Sequence, residues 1–214
     1  MKIHTFKLGQ MQANCYLLED DGKALLIDPA DTADFILEEI QRRKLDLIGI
    51  LATHGHFDHV MAVGEIQLSY PDLPLYINPQ DEFLLKRVGE SARHFLGFDP
   101  VVIPIGKTAS LMKGPFNISC LPAGTANFSF QILETPGHTP GSCSFYCKEE
   151  TLVFTGDTLF NAGIGRHDFA YSDKEKLKLS IQKLLKLPQE TIVYAGHGEE
   201  TSIDDEQGII QAFF

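Results

Sequence analysis

The segment THGHFDH, residues 53–59, places three histidines and one aspartate within six positions. It follows the apolar run LIGIL after one alanine, and the pattern of that run predicts a strand that is buried on both faces. His54 and His56 are two apart in extended backbone, so their rings point the same way and suit one metal ion. Asp58 and His59 follow where the chain turns into the next predicted helix, whose N-terminus favours a carboxylate. There they are expected to face a second ion.

Other apolar segments of the chain also end in residues that can bind metal. FQILETPGH ends in His138, TLVFTGD in Asp157, TIVYAGH in His197 and ALLID in Asp28. Side chains at strand ends can converge on one rim of a sheet, and neighbouring glycines allow tight turns and a close approach to a ligand. Histidine nitrogens with a few carboxylate oxygens and no thiolates suit Zn(II), Fe(II) or Mn(II). We therefore expect these segments to meet in one metal centre.

The candidate ligands are numerous enough for two divalent ions. We expect two sets with one carboxylate between them: His54, His56 and His138; Asp58, His59 and His197; and Asp157 as the bridge. Such paired ions lie about 3.5–4 Å apart and polarise a carbonyl or phosphoryl oxygen. The remaining histidines have no clustered partners in their own segments and are not expected to bind metal: His4, His94 and His167.

Alternating strands and helices must position these residues. CYLLE and KALLID predict a strand pair turned at residues 20–22, and TADFILEEIQRRK predicts a helix. HVMAVGEIQLSY and PQDEFLLKRV predict two more helices, and VVIPIG predicts a strand. The helix in SDKEKLKLSIQKLLKL is predicted to begin with a capping box of Ser172 and Glu175 and to end before Pro188. Two packed sheets with helices outside fit this order better than one doubly wound sheet, because hairpin-like strand pairs are frequent.

Length and composition limit the class of protein. The 214 residues fit one domain, residues 1–214, and no run approaches 18 apolar residues, so no membrane partner is expected. The net charge of −11 disfavours nucleic acid as a partner, because the chain repels phosphates. We expect no signal peptide and a reducing cytoplasm, with the four cysteines as small buried apolar groups: Cys15, Cys120, Cys143 and Cys147. The oligomeric state stays open.

The motifs THGHFDH, TPGHTPGS, FTGDTLF and AGHG, in this order and spacing, resemble the metallo-β-lactamase superfamily. The resemblance extends from NCYLLEDDGKALLIDPAD to GHGEET. It implies an α+β fold, a four-layer αββα sandwich with a dinuclear site at one edge of the two sheets. It also implies that the seven candidates above are the metal ligands and that Asp28 lies beside them without binding metal.

Within that superfamily the chain is most similar to small glyoxalase II-like, or hydroxyacylglutathione hydrolase-like, enzymes. β-Lactamases of the superfamily usually carry a cysteine where Asp157 stands, and GDTLFNAGIGRHDF is similar to glyoxalase II-like hydrolases and persulfide dioxygenases. The likeness implies that Arg166 binds a substrate anion, since guanidinium binds carboxylates bidentately. Only 17 residues follow His197. We therefore expect no separate C-terminal segment of the kind that helps full-length glyoxalase II hold glutathione.

The resemblance implies a dinuclear zinc hydrolase that acts on the thioester of a small acid. A metal-bridging hydroxide would attack the carbonyl carbon, and Asp58 would orient that hydroxide as well as bind metal. Two other activities stay open: a persulfide dioxygenase-like enzyme with one iron at His56, His138 and Asp157, and a hydrolase of another small ester or lactone. A non-catalytic metal-binding module is a further alternative.

The segment SARHFLGF, residues 91–98, lies in a less regular part of the sequence, residues 89–115. Phe95 and Phe98 are expected either to pack locally in the core or to belong to a lid over the apolar part of a substrate. The pattern favours local packing.

Overall fold

The computed structural model of the chain describes residues 1–119 and 127–214, so the predicted burial of Cys120 lies outside the described residues. Within them, strands form two six-stranded sheets and one two-stranded ribbon. The first sheet contains β1 (Lys2–Leu8), β2 (Ala13–Asp20), β3 (Lys23–Ile27), β4 (Asp46–Leu51), β5 (Leu75–Ile77) and β6 (Thr108–Ser110), in that spatial order. The strands β1, β2 and β3 pair antiparallel, and parallel pairs join β3 to β4, β4 to β5 and β5 to β6.

The second sheet begins with β7 (Gly114–Ser119), β8 (Asn127–Glu134), β9 (Cys143–Cys147) and β10 (Leu152–Gly156). β11 (Leu159–Phe160) and β12 (Gly163–Ile164) form the separate ribbon. β13 (Ile192–Ala195) and β14 (Thr201–Ser202) complete the second sheet, whose spatial order is β14-β13-β10-β9-β8-β7. β10 and β13 are parallel, and the other neighbouring pairs of this sheet are antiparallel.

Helices cover both outer faces of the paired sheets. They are α1 (Ala33–Arg42), α2 (Phe57–Val60), α3 (Val63–Ser69), α4 (Glu82–Leu85), α5 (Val88–Leu96), α6 (Lys174–Leu184) and α7 (Ile209–Phe213). α1, α2, α3 and α5 share an apolar cluster with the first sheet, whereas α6 and α7 share one with the second. In the described residues no helix is long and apolar enough to cross a membrane.

A third apolar cluster fills the space between the two sheets. β4 shows how the sequence encodes the layers, because Ile50 packs toward the helices while Leu51 packs toward the second sheet. This explains why LIGIL is apolar throughout. Cys143 and Cys147 both face the inter-sheet cluster, so their predicted burial is confirmed. The αββα sandwich expected from the sequence is therefore confirmed.

Three local predictions were wrong. The segment predicted to be irregular contains α5, which buries Val88 and Ala92. Residues 101–107 form no strand, because Ile103 and Pro104 pass directly over Gly64 of α3, where a Cβ would lie 2.0 Å from the Ile103 carbonyl oxygen. Sheet pairing resumes only at β6.

The third wrong prediction concerns the start of α6. Asp173 caps this helix, with its carboxylate accepting from the Lys176 backbone N–H at 3.0 Å. Ser172 instead donates its hydroxyl to the His138 carbonyl oxygen at 2.7 Å. The residue assigned to a helix cap is therefore used to hold a loop that carries a candidate metal ligand.

Candidate metal centre

The two sheets bring the seven candidate ligands together at the ends of four strands. His54 and His56 follow β4, Asp58 and His59 lie on α2, and the other three follow β8, β10 and β13: His138, Asp157 and His197. Among the described residues, three groups of three present ligand atoms within 4.8 Å of one another: His54, His56 and His138; Asp58, His59 and His197; and Asp28, His54 and His59. The first two are the sets expected from the sequence.

The first set has the spacing of a tetrahedral metal site. The Nδ1 atom of His56 lies 3.1 Å from Nε2 of His54 and 2.9 Å from Nε2 of His138. Ligand atoms about 2.0–2.1 Å from one tetrahedral zinc ion are about 3.3 Å apart. The three ring nitrogens are therefore close to the separations that a shared ion requires.

Hydrogen bonds to the Nδ1 atoms of His54 and His138 determine which nitrogen of each ring carries a proton. His138 Nδ1 lies 2.8 Å from the Arg166 carbonyl oxygen, which can only accept, so the neutral ring has its lone pair on Nε2. Thr53 donates its hydroxyl to Asp28 at 2.6 Å and so accepts from His54 Nδ1 at 3.0 Å. This leaves the lone pair of His54 on Nε2 as well. Two lone pairs therefore face His56 Nδ1, an arrangement that a cation stabilises.

Burial keeps two members of the first set, His54 and His56, neutral. It lowers the pKa of His54 well below the ordinary value for histidine, and nearby histidines lower it further. Burial, with His138 next in importance, lowers the pKa of His56 to about 3. Neutral imidazoles are the form that binds metal, so these rings are prepared for a cation at neutral pH.

The second set combines imidazoles with carboxylates. His59 Nε2 lies 3.3 Å from His197 Nε2, which is 3.4 Å from Asp58 Oδ2. His59 Nδ1 lies 3.0 Å from Asp28 Oδ2, so this carboxylate fixes the ring from behind, in the position expected for Asp28. Burial alone lowers the pKa of His59, but the carboxylates of Asp157, Asp58 and Asp28 outweigh it and raise that pKa to about 10. Without metal, a proton therefore occupies this set.

Two other members of the second set respond to the same charges. Burial lowers the pKa of His197, but its hydrogen bond to Asp58 and the charge of Asp157 outweigh burial and raise it. Burial raises the pKa of Asp58, but His59 and His197 outweigh burial and hold it below its ordinary value. A divalent ion would take the place of the protons that these attractions hold.

Asp157 lies between the two sets. Its Oδ1 is 3.4 Å from His59 Nε2, and its Oδ2 is 3.5 Å from His138 Nε2 and 3.7 Å from His197 Nε2. Asp157 Oδ1 is buried and has no hydrogen-bond partner among the described residues. A buried carboxylate oxygen without a donor is costly, and a bound cation would satisfy it. The ligand atoms of the seven candidates therefore fit two divalent ions.

Sequence reasoning missed Asp81, which joins the two loops that carry the first set. Its Oδ2 accepts from the Gly55 N–H at 2.9 Å and from the Thr139 hydroxyl at 2.6 Å, and its Oδ1 accepts from the Gly141 N–H at 2.6 Å. Both glycines are required by close packing, because a Cβ on Gly55 or Gly141 would lie within 2.9 Å of Asp81 atoms. No local pattern marks Asp81, since its partners are backbone groups distant in sequence.

A cleft of about 250 Å³ opens beside the metal candidates. Its wall is largely aromatic: Phe57, Phe95, Phe160, Phe169 and Tyr171. Phe95 stacks on Phe57 with 5.8 Å between ring centroids, so α5 forms one side of the cleft, whereas Phe98 is not among the lining residues. A larger groove of about 510 Å³ between Met61 and Val102 contains none of the seven candidates.

Arg166 also lines the cleft, but its guanidinium already has partners. It forms two hydrogen bonds of 3.0 Å with Asp168 and lies 4.4 Å from the centre of the Phe169 ring. The three histidines not expected to bind metal contact other groups. His4 pairs with Glu19, His94 contacts Phe95, and His167 faces Phe214.

Gly196 provides a test of how closely the centre is packed. A Cβ there would lie 2.1 Å from Asp157 Oδ1 and 2.8 Å from His59 Cε1. We expect Gly196→Ala to displace the Asp157 side chain, to lower the metal content and to reduce stability by about 1–3 kcal/mol. Gly89→Ala is the control, since nothing lies within 4 Å of its Cβ, and it should gain about 0.5 kcal/mol in α5. Elemental analysis and thermal unfolding give both readouts, and equal metal content in the two variants would contradict the expectation.

Comparison with known proteins agrees with this geometry. The family model described as the metallo-beta-lactamase superfamily matches residues 8–197. Hydroxyacylglutathione hydrolase GloC of Haemophilus influenzae is 38% identical over 209 residues, which cover 97% of this chain and 95% of that protein. The structure of TTHA1623 in a di-iron-bound form is 36% identical, with a TM-score of 0.83 and coverage of 95% and 96%. That of the B3 metallo-beta-lactamase BLEG-1 is 32% identical, with a TM-score of 0.82 and 96% of each chain covered.

The matched region contains all seven candidate ligands, and the fold that places them together is the fold of these relatives. The chain belongs to the metallo-beta-lactamase superfamily, as a metal-dependent hydrolase.

Proposed function

We propose that the chain hydrolyses the thioester of a small acid, using two zinc ions held by the seven candidate ligands. The observation that carries the proposal is Asp157, whose carboxylate lies within 3.7 Å of histidines from both ligand sets. The 38% identity to a hydroxyacylglutathione hydrolase supports the thioester as the bond that is cleaved.

The residues divide the work of the reaction. Bound divalent ions supply Lewis acidity, which polarises a carbonyl oxygen and lowers the pKa of an attacking water. His54, His56 and His138 would hold the first ion, and Asp58, His59 and His197 the second. Asp58 lies at the start of α2 with its pKa held low, so it stays an acceptor and can orient the attacking water. Thr53 and Asp28 keep the lone pairs of His54 and His59 turned toward the centre.

The cleft supports a substrate with an apolar part and a peripheral carboxylate. The rings of Phe57, Phe95 and Phe169 offer the apolar surface. We assign Arg166 to the carboxylate, because a guanidinium held by Asp168 and Phe169 is oriented in advance and retains unused N–H donors.

Hydrolysis of a β-lactam is a second candidate. It is favoured by the 32% identity and 0.82 TM-score of BLEG-1. An amide bond in a strained ring and a thioester both place a polarised carbonyl before the same nucleophile, so the ligand geometry suits either substrate.

The deciding experiment is hydrolysis of S-lactoylglutathione by protein whose metal has been counted. We expect turnover that a chelator stops and zinc restores, with Arg166→Gln raising KM about tenfold at nearly unchanged kcat. Nitrocefin and a persulfide, the latter followed by oxygen consumption, serve as competing substrates. Negligible thioester turnover by the two-zinc protein, with hydrolysis of nitrocefin, would move the substrate to β-lactams. One iron per chain, together with oxygen uptake, would indicate that the activity is that of a dioxygenase and not of a thioester hydrolase.

A further inference from the structure

Tyr171 contacts the metal candidates without belonging to them. Its hydroxyl oxygen lies 2.8 Å from His56 Nε2, on the side of the ring opposite the Nδ1 atom that faces His54 and His138. Its ring stacks on Phe169 and meets the edge of Phe83, with centroids 5.5 Å away in both cases. The tyrosine is thereby held in place, and it also lines the cleft.

The backbone next to Tyr171 is fixed to the same centre. Ser172 donates its hydroxyl to the His138 carbonyl oxygen, and the Asp173 N–H donates to the Gly137 carbonyl oxygen at 2.8 Å. The position of the Tyr171 hydroxyl therefore follows that of the His138 loop. The contact of the Tyr171 hydroxyl with His56 is therefore fixed by the backbone that also positions His138.

The direction of the Tyr171–His56 hydrogen bond depends on what occupies the first ligand set. A neutral His56 ring carries one N–H. Without a cation, His56 Nδ1 faces the lone pairs of two ring nitrogens at 2.9 and 3.1 Å, so the proton belongs on Nδ1. Nε2 then accepts, and Tyr171 donates its hydroxyl proton to it.

With a metal ion bound to these rings, the arrangement would be reversed. Nδ1 of His56 would offer its lone pair, the ring proton would reside on Nε2, and the Tyr171 oxygen would accept from it. The hydroxyl proton of Tyr171 is released from this bond, and no other acceptor for it lies within hydrogen-bond distance in the part of the chain that the structure describes. Because Tyr171 lines the cleft, an oxygen atom of a bound substrate is the partner available to it.

We propose that Tyr171 is a substrate-binding donor that becomes available only when the first metal site is filled, and that it also fixes the ring orientation of His56. The hydroxyl donates to a carbonyl or carboxylate oxygen on the acyl side of the substrate. The substrate part rests on the proposed thioester hydrolysis, whereas the reversal of the His56 hydrogen bond does not. Metal loading and substrate binding are therefore coupled through one hydroxyl group.

The test compares Tyr171→Phe with Tyr146→Phe, which removes a hydroxyl on β9 outside the cleft. Histidine side-chain ¹⁵N NMR of the wild-type protein should show His56 protonated on Nδ1 without metal and on Nε2 with zinc. Tyr171→Phe should bind zinc about tenfold more weakly. At saturating zinc it should raise KM for S-lactoylglutathione about tenfold with a smaller effect on kcat. Tyr146→Phe should match the wild type in each measurement.

Two results would overturn the proposal. One is a His56 proton that stays on the same nitrogen with and without zinc. The other is a Tyr171→Phe variant whose zinc affinity and KM equal those of Tyr146→Phe. If neither protein cleaves thioesters, binding of D-lactate to the zinc-loaded proteins replaces KM, and it should be about tenfold weaker in Tyr171→Phe. Weaker lactate binding by Tyr171→Phe, with no thioester turnover by either protein, would refute the thioester substrate and support the role of Tyr171. Equal lactate binding by the two proteins would refute its donor role.

Discussion

Asp157→Asn is expected to lower kcat/KM about 1,000-fold while the fold persists. The change preserves the shape of the side chain but removes the charge and replaces one oxygen by a donor. The amide would turn its N–H₂ group either toward His59, at 3.4 Å, or toward His138 and His197, at 3.5 and 3.7 Å, where a cation needs an oxygen. Loss of about 4 kcal/mol of charge stabilisation in the transition state corresponds to that factor.

The control for Asp157→Asn is Asp99→Asn. Asp99 is exposed and pairs with Arg93 on the surface, where an ion pair contributes little to stability. It should keep the metal content, the unfolding temperature and the activity of the wild type. Asp157→Asn should retain the circular dichroism spectrum but lose one bound ion. An Asp157→Asn variant with two ions and wild-type kcat/KM would show that this carboxylate does not bridge the sets.

Asp81→Asn is expected to have the largest effect of any residue outside the ligand set. The Asp81 carboxylate holds the loop of Gly55, between His54 and His56, against the loop of Thr139 and Gly141, next to His138. An asparagine has one acceptor oxygen, so at least one of these donors would face an amide N–H₂ group. We expect a loss of about 1–3 kcal/mol in stability and a 10- to 100-fold loss of affinity for the first ion.

Burial and hydrogen bonding act on the pKa of Asp81 in opposite directions. Burial raises its pKa, although Thr139, Gly55 and Gly141 lower it by donating hydrogen bonds. Zinc competition with a chelator measures the loss of metal affinity, and thermal unfolding of the metal-free protein measures the loss of stability. Glu82→Gln, an exposed neighbour, is the control, and equal zinc affinity in the two variants would remove the role assigned to Asp81.

The clustering of the metal candidates was predictable because most of them stand at the end of an apolar strand, which sets the direction of the side chain. Such a cluster of histidine and aspartate is also unusual on a protein surface, so THGHFDH indicates a metal site without help from the other motifs. The outer layers were less predictable. Gly64 determines the path of residues 101–107 only because Ile103 crosses it, and that crossing is a tertiary contact.

The supporting residues of the centre were not predictable for a related reason. Asp81 and Tyr171 act through hydrogen bonds to groups 26 to 115 positions away in the sequence. Ser172 matched a helix-capping pattern, but Asp173 provides the cap and Ser172 holds the His138 loop. A local sequence pattern cannot distinguish a helix cap from a hydrogen bond to a distant loop, because the serine hydroxyl can form either.

A zinc titration of chelator-treated protein, followed by calorimetry and checked by elemental analysis, tests the two-ion centre most directly. We predict saturation at two zinc ions per chain in the wild-type protein and at one in Asp157→Asn. Saturation of the wild-type protein at a single ion, with the same count in Asp157→Asn, would contradict a centre in which Asp157 joins two metal sites.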